Sequence, residues 1–291
     1  MQHFMEQYRP QRFSFLPEVV KNLLIINGIF FLATVVLQQQ GIDLNDILGL
    51  HYYEAEKFKW WQFFTYMFMH GSFGHIFFNM FALWMFGAAL ENVWGGRRFL
   101  NYYFITGLGA ALVQQAIVHY EMQPAISYMN DYIATPDYEK LKGFANSIAF
   151  TKFSSLEMSE HFNEFIAKFN VLVNTDYAGA MSMSVDYMKE FRADVMNAPV
   201  VVGASGAVFG LLLAYGMLFP NNLLYVYFAF PIKAKYFVMI YGAVELFSGI
   251  ASMPGDNVAH FAHLGGLLFG FITIMIWRNQ NKRRRNDFFN P

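Results

Sequence analysis

A chain of 291 residues that is 56% hydrophobic and only 14% charged falls well short of the roughly 25% charged content of soluble domains, so lipid forms part of its solvent. A formal net charge of −1 gives no basic field for nucleic acid. The absence of cysteine excludes disulfides, thiolate metal sites and a cysteine nucleophile together.

The first sixteen residues mix polar and aromatic side chains, and the first apolar run follows Lys21. Its length favours a retained span over a removed signal. Six spans are predicted, over 21–38, 75–93, 99–118, 203–219, 236–253 and 259–277. Segment 39–74 is too long for a tight turn and too polar to cross. Its cluster Trp60-Trp61-Gln62-Phe63-Phe64 suits the headgroup level. In the stretch 120–200, Ser159 to Ile166 and Val185 to Phe191 have the spacing of amphipathic helices. That stretch has few aliphatic residues for a core of its own.

Charge bias orients these spans. Arg9, Arg12, Lys21, Arg97, Arg98, Lys233, Lys235, Arg278, Lys282 and Arg283 to Arg285 fall on one side, which is therefore cytoplasmic. Segments 39–74 and 119–202 and the short loop near Asp256 fall on the other. The predicted fold is all-α: a polytopic six-helix membrane bundle with a long helical insert facing outside between helices 3 and 4. Its parts are a cytoplasmic segment 1–20, membrane core 21–119, extracytoplasmic insert 120–202, membrane core 203–278 and a basic cytoplasmic tail 279–291. Both termini are cytoplasmic, and a bacterial-type inner membrane is the expected location. No internal repeat suggests an inverted-repeat transporter.

Ionisable and polar groups inside spans are costly and are therefore functional candidates. Ser205 lies in Gly203-Ala204-Ser205-Gly206-Ala207-Val208-Phe209-Gly210, where Gly206 and Gly210 form a small-residue face. A hydroxyl needs a base to become a nucleophile. His263 is followed at three and seven residues by Gly266 and Gly270, again on roughly its own helix face. Two such helices can approach closely and bring hydroxyl and imidazole together. His260, one turn earlier, is a rival base without that glycine register. His75 and Asn79 share one face at i, i+4 and can supply oxyanion donors, with the Ser205 N–H as a third. Each group alone also reads as packing: a serine on a small-residue helix, a histidine at a helix start, an interhelical hydrogen-bonding pair. Glu91 reads as structural, pairing with backbone groups or with Arg97 or Arg98. Glu245, in mid-span, either faces a wet cavity near the site or marks an ion path. No H-E-x-x-H occurs and no span holds an aspartate, so zinc and paired-aspartate proteases are unsupported.

Together His75-x-x-x-Asn79, Gly203-x-Ser205-Gly206 and Ala262-His263-x-x-Gly266-x-x-x-Gly270, in that order on the second, fourth and sixth spans, resemble the rhomboid family of intramembrane serine proteases. The resemblance covers about 20–119 and 200–278. It implies a six-helix core and a Ser205–His263 dyad without a third acid. It also implies oxyanion stabilisation by His75 and Asn79, and an aromatic ring, Phe209, against the catalytic histidine. Neither metal nor cofactor is implied, and the partners are transmembrane protein substrates and the bilayer. Segment 39–74 becomes a membrane-embedded loop; the fifth helix and the loop near Asp256 become gate and cap. Many members have Trp-Arg in the embedded loop where this chain has Trp61-Gln62, which leaves the loop's anchoring open. The insert is expected to select or shield substrate. Two other classes are weighed: a catalytically silent relative that binds membrane clients, and a transporter motivated by Glu245 and the intramembrane histidines.

Overall fold

Among the described residues of the computed structural model, four helices are long and apolar enough to cross a membrane by length and composition: Glu18–Gln38, Phe73–Trp94, Ala234–Ala251 and His260–Gln280. The described residues are 13–144, 147, 150, 156–226, 229–251 and 258–289. Arg9, Arg12 and the loop near Asp256 lie outside them. In chain order the elements are α1 (Glu18–Gln38), α2 (Leu44–Leu48), β1 (Leu50–His51), α3 (Gln62–Thr65), α4 (Phe73–Trp94), α5 (Gly96–Ala134) and α6 (Tyr138–Phe144). There follow α7 (Leu156–Leu172), α8 (Tyr177–Asn197), β2 (Val200–Val201), α9 (Ser205–Leu218), β3 (Leu223–Val226), β4 (Phe230–Lys233), α10 (Ala234–Ala251) and α11 (His260–Phe289). The fold is mostly helical, as expected. Among the described residues its strands are two short antiparallel pairs, β1 with β2 and β3 with β4.

Two compact units divide the chain. The first comprises Met1–Leu44, Met67–Leu112 and Val202–Pro291; the second comprises Asn45–Tyr66 and Val113–Val201. Helix α5 belongs to both. The predicted span 99–118 lies within it, and the helix runs on to Ala134 with Pro124 inside. Asn101, Tyr102, Tyr103, Gln114 and Gln115 dilute its hydropathy.

In the first unit, α4 packs on α1 and on α9, and α9 packs on α11. Helix α1 starts after Pro17, with no side-chain cap of its own. Its first-turn N–H groups need acceptors from elsewhere. Glu91 of α4 supplies them: its carboxylate accepts from Val19 N–H at 3.0 Å and Val20 N–H at 2.9 Å. The sequence left Glu91 a choice between backbone groups and arginines, and the geometry selects the backbone of α1. Glu91→Ala strands two donors at a buried helix start and is expected to cost about 2–4 kcal/mol. Thermal unfolding in detergent measures this.

The second unit has a core built from aromatic and methionine side chains, among them Tyr132, Phe144, Phe162, Phe169, Met188 and Phe191. Phe165 and Tyr187 stack with centroids 4.1 Å apart. The paucity of aliphatic residues in 120–200 therefore does not deny this segment a core: each aromatic ring buries about 150–250 Å², and methionine fills the gaps. The two amphipathic patterns lie in α7 and α8.

Gln62 answers the question of how the aromatic loop is anchored. The residue is buried. Its Oε1 accepts from His51 N–H at 3.3 Å and Lys59 N–H at 3.1 Å. Its Nε2 donates to the carbonyls of Ile47 at 3.2 Å and Lys57 at 3.1 Å. One carboxamide thus ties four backbone positions and fills its own hydrogen-bonding capacity.

Candidate active site

Ser205 is the first residue of α9, and helix-start N–H groups have no partner within the helix. Its backbone N–H therefore points out of the helix at the positive end of the dipole. The chain enters through Gly203 at φ +126°, a conformation that favours glycine. A Cβ on Gly203 would lie 2.7 Å from His75 Nε2 and 3.5 Å from Ser205 Oγ, so its absence lets the imidazole and hydroxyl share one small space.

His263 lies in the first turn of α11 and is buried. Its Nε2 is 2.8 Å from Ser205 Oγ. Its Nδ1 is 2.9 Å from Glu245 Oε2. With Glu245 ionised and the ring neutral, Nδ1 donates to the carboxylate and Nε2 is left to accept from the serine hydroxyl. Phe209, one turn after Ser205, stacks on the His263 ring at 4.2 Å and 7°. Tyr241 of α10 packs against Phe209 with ring centroids 5.0 Å apart.

The approach of α9 to α11 sets these distances. Gly266 faces Gly206 so closely that a Cβ on Gly266 would overlap the Gly206 carbonyl. His263 sits one turn before this crossing and Ser205 is adjacent to it. Tyr102 fixes α9 further along by donating to the Gly210 carbonyl at 2.9 Å.

His75 and Asn79 both lie on α4, which begins after Ser72; the Ser72 hydroxyl caps the helix by accepting from His75 N–H at 3.2 Å. Asn79 is buried, and its Nδ2 has no hydrogen-bond partner. An unsatisfied buried amide is costly, and such groups call for an explanation. Here it is a spare donor on the helix face that carries His75.

Three features were not assigned by sequence. Gly203's role rests on a positive φ that no motif announces. Glu245 was left undecided; its Oε2 accepts from His263 and also from His260 Nδ1 at 2.6 Å. The resemblance implied a dyad with no third acid, so the carboxylate on His263 is a departure. Its signal was the cost of a carboxylate in mid-span, which demands donors nearby. His260, the rival base, turns Nδ1 to Glu245, while His263 meets Ser205. Glu245, His260 and His263 are also the described residues able to group around a metal ion, with ligand atoms within 4.8 Å of one another.

His70, just before α4, is the third. It is buried, its ring meets that of His75 edge-on at 5.0 Å, and neither ring nitrogen makes a hydrogen bond of normal geometry. Burial pushes its pKa from 6.5 to about 4; nearby His75 adds to the shift and the polar backbone of Phe68 opposes it. The unfolded chain then takes up a proton below 6.5 that the folded chain refuses until about 4. Stability is full above pH 6.5 and lost as pH falls, by about 2 kcal/mol at pH 5 from this group. Thermal unfolding in detergent between pH 7 and 5 is expected to show this slope, and His70→Phe to flatten it.

The Rhomboid domain family model matches residues 57–128 and 145–280, and the chain belongs to the rhomboid family. It is an integral, multi-pass membrane protein. Rhomboid protease GlpG of Salmonella paratyphi A is 31% identical over 112 residues, 37% of this chain and 41% of the relative. The GlpG of Salmonella typhi matches equally. The chloroplastic Rhomboid-like protein 11 of Arabidopsis thaliana is 31% identical over 102 residues, 32% of this chain and 34% of the relative. The chain thus spans about two fifths or less of the length of these curated relatives.

Proposed function

We propose that this protein is an intramembrane serine endopeptidase that cleaves transmembrane segments near the outer face of the bilayer. The observation that carries the reading is the 2.8 Å contact between Ser205 Oγ and His263 Nε2. Family membership supports it, since rhomboids include intramembrane serine proteases.

In this reading Ser205 Oγ attacks the scissile carbonyl carbon while its proton passes to His263 Nε2. The oxyanion forms beside the Ser205 N–H, the spare Asn79 Nδ2 donor and His75. His263 then gives its proton to the leaving amine, and the C–N bond breaks. A water deprotonated by the same nitrogen releases the acyl group and restores the hydroxyl. Phe209 holds the ring flat throughout. Substrate helices must unwind locally, because the peptide bonds of a formed helix are shielded, so small or helix-breaking residues near the membrane edge are favoured.

The Lys/Arg bias supports an orientation with both termini in the cytoplasm and 120–202 outside. The test is cleavage of a reporter transmembrane substrate in detergent by the wild type, Ser205→Ala and His263→Ala. Cleavage by the first alone supports the reading, and equal cleavage by all three ends it.

A further inference from the structure

We propose that Glu245 is a third, positioning acid, which makes the reactive unit Ser205–His263–Glu245 rather than a pair. This rests on the endopeptidase reading. Glu245 lies in mid-helix on α10 with 5% of its surface exposed. A carboxylate there is expensive unless it is hydrogen-bonded. Among the described residues its bonds run to imidazoles: 2.9 Å to His263 Nδ1 and 2.6 Å to His260 Nδ1. The first is collinear in function with the serine contact, because Nδ1 and Nε2 belong to the ring that receives the proton.

Two consequences follow. In the resting state the carboxylate fixes the proton on Nδ1, so that Nε2 accepts from Ser205 rather than competing to donate. During attack the ring becomes an imidazolium, and the adjacent negative charge stabilises it in surroundings of low polarity. Glu245 exchanges no proton and touches no reacting atom. His260 supplies a second N–H to the same oxygen and holds it in place.

The alternative, a metal ion among these three side chains, fits the distances poorly. Zinc ligands about 2.0–2.1 Å from a tetrahedral ion stand about 3.3 Å apart, whereas these atom pairs are at hydrogen-bonding separations of 2.6 and 2.9 Å.

The experiment measures kcat, KM and melting temperature for the full chain in detergent with the reporter substrate. Glu245→Gln is expected to lower kcat about 100-fold or more with KM within about twofold, because an amide holds the ring without the charge. Glu245→Asp, which keeps the charge on a shorter arm, is expected to regain at least about tenfold of that loss. Ring-nitrogen NMR of the unmutated, histidine-labelled chain, with His263 assigned by its loss in His263→Ala, is expected to show the proton on Nδ1. It reads the idea in the unmutated protein and needs the variant for assignment alone. Wild-type kcat in Glu245→Gln overturns the proposal. So does an aspartate no better than glutamine, or a resting His263 protonated on Nε2. Activity removed by a chelator and restored by zinc also overturns it, in favour of a metal centre. If Ser205→Ala is inert while Glu245→Gln cleaves normally, only the third acid falls. If Ser205→Ala cleaves like wild type, the endopeptidase reading falls with it.

Discussion

Ser205→Ala is expected to lower cleavage of a transmembrane reporter by at least about 10⁴-fold, His263→Ala by a similar factor, and the double variant by no more than either alone. In the proposed mechanism hydroxyl and imidazole act as one unit. Without the base the hydroxyl is a poor nucleophile, and without the hydroxyl the base has nothing to activate. Independent contributions would instead multiply. The measurement is initial rate under identical detergent conditions, and the equality of single and double variants is the informative part. Folding is not at issue for the serine, because among the described residues its hydroxyl bonds to His263 at a helix start, and alanine fits the same space.

Gly266→Ala should be the most damaging change that touches neither reactive residue. Its Cβ would fall onto the Gly206 carbonyl, with the carbonyl carbon 2.8 Å away. The obstacle is backbone, so no rotamer change relieves it, and α9 and α11 must part by about 1 Å or more. The 2.8 Å Ser205–His263 contact spans the same crossing and opens with it. A misplacement of that size costs about 100-fold in rate. Substrate affinity should change far less, so the loss is expected in kcat. Gly28→Ala is the matching control: nothing lies within 4 Å of a Cβ at that position, and cleavage should be unaltered.

Much of this arrangement is legible because membrane helices advertise it. Hydropathy marks α1, α4, α10 and α11, and the four-residue spacings of Gly206 with Gly210 and of Gly266 with Gly270 mark faces fit for close approach. The i, i+4 pair His75 and Asn79 needs no tertiary information to share a face. What stays hidden depends on tertiary contacts that no local periodicity announces. Glu91 caps a helix 71 residues upstream. Gln62 shows only as a departure from the familiar Trp-Arg; its carboxamide binds four backbone groups that sequence cannot bring together. The core of the second unit is missed by counting aliphatic residues, because phenylalanine, tyrosine and methionine do the same work. Glu245 is visible as an anomaly, yet its partners lie 15 and 18 residues along on another helix.

Covalent capture tests the central claim most directly. A serine-reactive fluorophosphonate incubated with the full chain, followed by peptide mass spectrometry, reads the nucleophile without any choice of substrate. One adduct is expected, on Ser205, and it should disappear in His263→Ala while the protein stays folded. An unlabelled Ser205 in folded wild type, or labelling that persists undiminished without His263, would contradict the account.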